Sequence, residues 1–126
     1  MSNTTQIEFA HERGVGFYTA YRIAVEFCEH AHILGSRLPR TKGQLGDQLL
    51  RASEGVVLRI AEGAGAEFRS ADQKRYFRSA RGSALECAAV LDICQIKKVG
   101  TADQLNHGRA LLLRIVQMLT KLSRAG

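Results

Sequence analysis

The sequence has one proline among its 126 residues, and it has no apolar run near the roughly 18 residues that a membrane span needs. Scarce proline favours long uninterrupted helices over a turn-rich sheet protein. The N-terminus lacks the basic and apolar regions of a signal peptide. The length fits one domain with one core. We therefore expect a single-domain cytoplasmic protein with no membrane partner.

Motifs for metal binding or catalysis are also missing. The three cysteines, Cys28, Cys87 and Cys94, lack the paired spacing of thiolate zinc sites, and we interpret them as small buried apolar side chains. Di-iron bundles need Glu-x-x-His on two helices, but neither Glu62 nor Glu86 has a histidine three residues later. A catalytic dyad of these two glutamates is the remaining enzymatic alternative. We expect no enzyme, no metal and no cofactor.

Positive charge is abundant. Eighteen lysines and arginines stand against twelve acidic residues, which gives a net charge of +6, and thirteen of the eighteen are arginine. The planar guanidinium matches phosphate oxygens with two parallel hydrogen bonds. An excess of this size favours a polyanionic partner such as nucleic acid.

Four segments carry apolar residues at helical spacing, and no segment alternates in the manner of a β-strand. The connections between these segments are short. They predict an all-α, up-down-up-down antiparallel four-helix bundle over residues 15–124, preceded by a polar extension over residues 1–14. The four stripes are Phe17, Tyr21, Ala24, Cys28 and Ala31; Leu45, Leu49, Ala52, Val56 and Ile60; Phe77, Ala80, Ala84, Cys87, Leu91 and Cys94; and Leu105, Leu112, Ile115, Leu119 and Leu122.

Capping signals mark the breaks between these stripes. A Thr or Ser precedes Gln by three residues at each break, which is a capping-box pattern. Gly63 or Gly65 is expected to end the second helix in the left-handed conformation, and Gly100 to end the third. The three boxes are Thr41 with Gln44, Ser70 with Gln73, and Thr101 with Gln104.

The glycines and arginines of residues 59–86 admit two interpretations. A phosphate loop would need a preceding strand and a following lysine, so a helix end followed by a connector fits better. The free amides at Ser70, beside Arg69, are a minor alternative for phosphate binding. Beyond them, Lys74, Arg78 and Arg81 fall at helical spacing along one side of the third helix, with Arg75 close by. We predict that Arg69, Lys74, Arg75, Arg78 and Arg81 contact nucleic-acid phosphates, a solvated helix face being the alternative.

Two further features concern contacts between helices and between subunits. We expect Arg51, Glu62, Arg81 and Glu86 to form interhelical ion pairs, because carboxylates near a seam are rarely left unpaired. The last helix has a wide apolar surface, in which Leu111, Leu113, Val116 and Met118 flank the main stripe. This width favours either a central, crowded helix or a second face that meets another subunit.

Three ordered motifs, "QLLRAS", "IAEG" and "YFRSARGSALE", resemble the signature of a bacterial four-helix-bundle family encoded in intervening sequences of large-subunit ribosomal RNA genes. A related branch includes the accessory variability protein of diversity-generating retroelements. That resemblance implies a basic, ring-shaped homopentamer that binds nucleic acid and a reverse transcriptase. Arg59 departs from the asparagine usual in the family. The matching positions are Gln48, Arg51, Ala52, Ser53, Ile60, Ala61, Glu62, Gly63, Ala80, Arg81, Gly82, Ser83 and Glu86.

Gly82 lies in the middle of a predicted helix, where glycine costs about 1 kcal/mol relative to alanine. We expect another helix or a partner backbone to approach it closely, with Ser83 hydrogen-bonding across the contact. Two functions remain in view. The first is a non-catalytic homo-oligomer that binds RNA or DNA without sequence preference. The second is a protein–protein assembly module, for example for a reverse transcriptase or a ribosomal component.

Overall fold

The computed structural model describes residues 15–39 and 43–124, which contain four helices and no strand. Each helix packs against its neighbours in the chain, and the first also packs against the last, whereas diagonal helices meet through side chains such as Phe17 of the first and Phe77 of the third. The predicted all-α up-down-up-down bundle is confirmed. The helices are α1 (Val15–Arg37), α2 (Leu45–Gly65), α3 (Ala71–Ile96) and α4 (Ala102–Arg124).

The core is formed by the apolar seams of all four helices. Every residue of the predicted α2 and α3 stripes is buried, and so are four of the five in α4, with Leu122 half-buried. The α1 seam differs from the prediction: Ala20 and Phe27 are buried, while Tyr21 and Cys28 lie half-buried at its edge. The expectation of a buried cysteine is thus confirmed for Cys87 and Cys94 and wrong for Cys28.

Helix α4 presents apolar side chains in several directions. Leu111 is buried, Val116 and Met118 pack against the core from its margin, and Leu113 is 60% exposed. Most of the additional apolar surface on this helix is therefore absorbed by the bundle, which leaves Leu113 as its large exposed residue.

Two of the three predicted capping pairs form hydrogen bonds. In α4, the Gln104 amide donates to Thr101 Oγ1 at 3.1 Å, and the Thr101 amide donates back to Gln104 Oε1 at 2.9 Å. In α3, Ser70 Oγ accepts the Gln73 amide at 3.1 Å. Helix α2 begins after Gln44, whose side chain makes no capping bond. Thr41 lies outside the described residues.

The α2–α3 connection shows that neither predicted glycine ends α2 in the left-handed conformation. Gly63 lies inside the helix, Gly65 is its last residue, and the cap residue Ala66 is extended at φ −79°. Gly63 instead lies against Phe77 of α3: a Cβ built on it would come 2.6 Å from the Phe77 ring. Its missing side chain therefore permits close packing of α2 on α3.

Helix α3 ends in a Schellman motif without a glycine at the left-handed position. The Val99 amide donates to the Cys94 carbonyl at 2.9 Å, and the Lys98 amide donates to the Gln95 carbonyl at 3.1 Å. Lys98 has φ 59°, a conformation that strains a residue with a Cβ. Gly100, predicted to close this helix, lies after it at φ 80°.

Replacing Lys98 by glycine is expected to stabilise the protein by about 1 kcal/mol, because glycine adopts the left-handed conformation without strain. This corresponds to a rise in Tm of about 4 °C for a chain of this size. Thermal unfolding followed by circular dichroism would measure the change. Lys97→Gly is the control, because Lys97 is right-handed at φ −82° and glycine there is expected to lower the Tm. A Lys98→Gly protein no more stable than the wild type would contradict this account.

None of the four helices in the described ranges combines the length and the apolar character needed to cross a bilayer.

Candidate nucleic-acid interface

Arg69 is the last residue before the N-cap of α3, and it has a left-handed backbone at φ 59°. Its amide donates to Gln73 Oε1 at 2.9 Å, and the Gln73 side-chain amide donates to the Gly63 carbonyl at 3.0 Å. Gln73 is buried, so these bonds join the end of α2 to the start of α3 away from water. They hold the Arg69 backbone in place although the residue is exposed.

The Arg69 guanidinium lies over an aromatic ring. Its Cζ is 5.1 Å from the centroid of the Phe68 ring, and that ring in turn lies 6.4 Å from the ring of Phe17 in α1. Guanidinium stacking leaves the edge donors free to bind an anion. The aromatic support for Arg69 was not predicted from the sequence, although Phe68 precedes it directly.

Lys74, Arg78 and Arg81 lie on the side of α3 that faces α4. Arg81 lies three helical turns before Asp92, whose carboxylate pairs with Arg109 of α4 at 3.1 Å. Arg78 is exposed, and Lys74 and Arg81 are half-buried. Within residues 15–39 and 43–124, these three cations have no carboxylate within ion-pair distance. We call Lys74, Arg78 and Arg81 the α3 basic stripe.

Arg81 has one buried hydrogen-bond donor, although the residue is only half-buried. Its Nε is buried and has no hydrogen-bond partner in the described part of the chain, while the residue as a whole remains partly accessible. A buried N–H group without a partner is uncommon and costs about 1–3 kcal/mol. A ligand that accepts hydrogen bonds at this edge of the bundle would satisfy it.

Arg75 points away from the stripe and is partly neutralised. Its guanidinium lies 3.3 Å from Asp72 one turn earlier and 4.9 Å from the centroid of the Tyr76 ring. The hydrogen bond and charge of Asp72 raise the pKa of the Arg75 guanidinium. An exposed pair of this kind opens readily, so Arg75 is placed as a secondary cation beside the stripe.

Chain comparison identifies the family. Residues 18–121 match the model of the 23S rRNA-intervening sequence protein family. The chain belongs to this family. No curated protein sequence matches the chain significantly.

The predicted ion-pair network among the signature residues of this intervening-sequence protein is not formed. Glu62 pairs with Arg59 on its own helix at 3.1 Å, and Arg51 and Glu86 are exposed, with no ion pair in the described part of the chain. Arg81 cannot join them, because it faces α4 whereas they lie towards the α2–α3 side. A sequence shows which residues share a helix face but does not show which neighbour that face meets.

Gly82 and Ser83, also signature positions of the family, differ in their surroundings. A Cβ built on Gly82 would meet nothing within 4 Å, so none of the four described helices approaches it closely. Ser83 faces α2, where a Cβ built on Gly55 would lie 3.1 Å from its Oγ. The close contact expected at Gly82 is therefore not made by the described residues.

No cluster of three or more histidine, cysteine, aspartate or glutamate side chains that could hold a metal occurs in residues 15–39 and 43–124. Glu62 and Glu86 are both exposed, and neither lines a described groove.

Proposed function

We propose that this intervening-sequence protein is a non-catalytic, homo-oligomeric bundle that binds nucleic acid through the α3 basic stripe, with Arg69 and Arg75 as flanking contacts. The observation that carries the proposal is the stripe itself. Lys74, Arg78 and Arg81 follow one side of one helix without carboxylate partners in the described chain. Such a row contacts successive phosphates and reads no base edges, so binding is expected to be salt-dependent and indifferent to sequence.

Arg81 supports phosphate binding by the α3 basic stripe over the alternative of a solvated helix face. Its Nε, which lacks an acceptor in the described part of the chain, would donate to a phosphate oxygen that reaches this edge of the bundle, and guanidinium–phosphate bonds are among the stronger ones in proteins. Both RNA and DNA carry the required phosphates. The family's name, which refers to 23S rRNA, makes RNA the first polymer to test.

The experiment is a salt titration of binding, measured by fluorescence anisotropy with single-stranded RNA and with duplex DNA. Lys74→Ala combined with Arg78→Ala is expected to lower affinity on both polymers and to reduce the slope of log affinity against log salt by about 1.4 for single strands and about 1.8 for duplex. Arg22→Ala combined with Arg114→Ala removes the same charge from a groove between α1 and α4 and is the matched control. Absence of binding at low salt, or equal loss in both double variants, would refute the proposal.

Self-association is the second part of the proposal, and the resemblance favours a pentamer. Gly82 is exposed in mid-helix, where a Cβ built on it meets no atom of the described residues within 4 Å, and Leu58 on α2 is 57% exposed. Arg51 and Glu86, of opposite charge, are exposed without ion pairs in the described residues. A second copy packed here would use the missing side chain of Gly82 for close approach and would cover Leu58.

Gly82→Leu is therefore expected to reduce the oligomer to smaller species at equal concentration, because the added side chain blocks the approach of a second copy. Sedimentation velocity would measure the size. Gln117→Leu, on the exposed face of α4, is the control for an added surface leucine. Gly82→Ala is expected to raise the stability of the dissociated chain by about 1 kcal/mol. Wild-type oligomer size in Gly82→Leu, with Gln117→Leu unchanged, would exclude this face.

The second candidate function is a protein–protein assembly module, for example for a reverse transcriptase or a ribosomal component. Leu113 on α4 and Ile96 at the end of α3, 60% and 78% exposed, favour it. In that case the charge would serve solubility and steering only. The same titration separates the two functions, because an assembly module is expected to bind neither RNA nor DNA at low salt.

A further inference from the structure

Two rows of residues lie on the outward sides of α2 and α3. Each row steps by four, three and four positions, so its members share one side of their helix. All of them are exposed except Gly55, which is half-buried. Both rows begin with an arginine and end with a glutamate. The α2 row is Arg51, Gly55, Leu58 and Glu62, and the α3 row is Arg75, Ser79, Gly82 and Glu86.

The packing of α2 on α3 fixes the relative heights of the two rows along the bundle axis. A Cβ built on Gly55 would lie 3.1 Å from Ser83 Oγ, so these two residues are level. The two helices run antiparallel, and each residue advances about 1.5 Å along its helix. Arg51 is therefore displaced from this level by about 6 Å. Glu86 is displaced towards the same end of the bundle by about 4.5 Å, so the two opposite charges stand at nearly equal heights.

The middle of each row is also matched in height. Leu58 is displaced by about 4.5 Å towards the other end of the bundle, which places it level with the space between Gly82 and Ser79. Leu58 is a large exposed side chain, whereas these two residues of α3 are small and exposed. A Cβ built on Gly82 meets no atom of the described residues within 4 Å. The α2 row therefore carries a protruding apolar side chain where the α3 row has a depression.

The charges at the two ends of the rows differ in their surroundings. Glu62 and Arg75 each have an ion pair with a neighbour on their own helix. Arg51 and Glu86 have none within residues 15–39 and 43–124, although they stand at nearly the same height on adjacent helices. A second copy of the chain carries both of the charges that would complement this pair.

We propose that α2 of one copy packs along α3 of the next, with Arg51 paired to Glu86 of the partner subunit and Leu58 packed against Gly82 of the partner subunit. This contact rests on the self-association proposed above and specifies which surfaces meet. Rotation about an axis parallel to the helices leaves every residue at its own height. The heights that match within one chain therefore also match between neighbouring copies in a cyclic oligomer, the usual form of a homo-oligomer.

The two parts of the contact have different effects. Burial of Leu58 contributes apolar area, and the missing side chain of Gly82 lets the helices approach closely. The ion pair of Arg51 with Glu86 of the partner subunit fixes the register and disfavours other arrangements.

The α3 basic stripe stays accessible in this arrangement. Each of its members precedes a member of the α3 row by one residue, which places the stripe about 100° further round the helix. Self-association through the two rows is therefore compatible with phosphate binding by the stripe.

Charge reversal tests the pairing directly. Arg51→Glu and Glu86→Arg, made separately, each place two like charges at every contact. Each is expected to raise the Kd of self-association by at least about tenfold. The two substitutions combined in one chain restore the pair with its charges exchanged, and are expected to return the Kd to within about threefold of the wild type. Sedimentation velocity over a range of protein concentrations would measure all three.

Arg114→Glu and Glu26→Arg are the matched controls, because they reverse charges in the groove between α1 and α4. Neither is expected to change the Kd. A wild type that is monomeric at every concentration would refute self-association itself and this contact with it. An oligomer that is indifferent to both reversals, or that the combined exchange does not restore, would refute this contact and leave self-association standing.

Discussion

Gly63→Leu is expected to lower the free energy of unfolding by about 3 kcal/mol, at the upper end of the usual cost of overpacking. A Cβ at Gly63 would lie 2.6 Å and 2.8 Å from two carbons of the Phe77 ring. Phe77 is fully buried and contacts Phe17 of α1 at a ring distance of 5.1 Å, so the ring cannot move aside without disturbing α1. The higher helix propensity of leucine relative to glycine would offset less than about 1 kcal/mol of this loss.

Gly65→Leu is the matched control, since a Cβ built there meets nothing within 4 Å. It lies two residues later on the same helix and is expected to change stability by less than about 0.5 kcal/mol. Urea unfolding of both variants would give the comparison. A Gly63→Leu protein as stable as Gly65→Leu would show that α2 and α3 can move apart at Gly63 without a loss of stability.

A double-mutant cycle would locate the cost of substitution at Gly63. In a Phe77→Leu background the flat ring is gone, so Gly63→Ala is expected to be less harmful than in the wild type. The coupling free energy is expected to be of the order of 1 kcal/mol, with the two substitutions together costing less stability than the sum of the two alone. Additive effects of the two substitutions would place the strain elsewhere than at this contact.

Gly63 also shows why part of the fold could not be read from the sequence. A glycine after an apolar stripe fits two roles, a left-handed helix end and a site of close packing. Local sequence distinguishes them only if the facing residue is known, and Phe77 is fourteen positions away. The seams of α2 and α3 were predictable because each depends on one helix alone, and all of their predicted members are buried.

The edge of α1 illustrates a second limit. A stripe through Phe17, Ala24 and Ala31 is compatible with either Phe27 or Cys28 at the intervening position, because both lie within half a turn of it. The structure buries Phe27 and leaves Cys28 half-buried. The larger apolar side chain gains more from burial, and the neighbouring helices determine how wide the buried face becomes.

The positions of the basic residues on α3 could be predicted from the sequence, but the helix that they face could not. Helical spacing placed Lys74, Arg78 and Arg81 along one side of α3, as found. Spacing did not reveal that this side faces α4, so the expected pairs of Arg81 with α2 residues were wrong. The buried Nε of Arg81 is likewise a property of the packing of neighbouring helices.

Gln73→Ala is expected to lower the free energy of unfolding by about 2–3 kcal/mol, which is large for a polar residue. Gln73 is 3% exposed, and its side chain accepts the Arg69 amide and donates to the Gly63 carbonyl. Truncation removes one of the two donors to that buried carbonyl, the Ala66 amide at 3.2 Å being the other, and removes the bond that holds the strained backbone of Arg69. Chemical unfolding would measure the stability loss.

Gln104→Ala is the matched control, because Gln104 occupies the same position in the capping box of α4 and the box bonds there are exposed. Water replaces an exposed cap bond, so this substitution is expected to cost about 1 kcal/mol or less. Gln73→Glu tests the donor separately. It keeps an acceptor for the Arg69 amide but places a second acceptor against the Gly63 carbonyl, so it is expected to be at least as harmful as alanine. Equal effects of Gln73→Ala and Gln104→Ala would mean that Gln73 acts as a helix cap only, and that the connection between α2 and α3 does not depend on its buried amide.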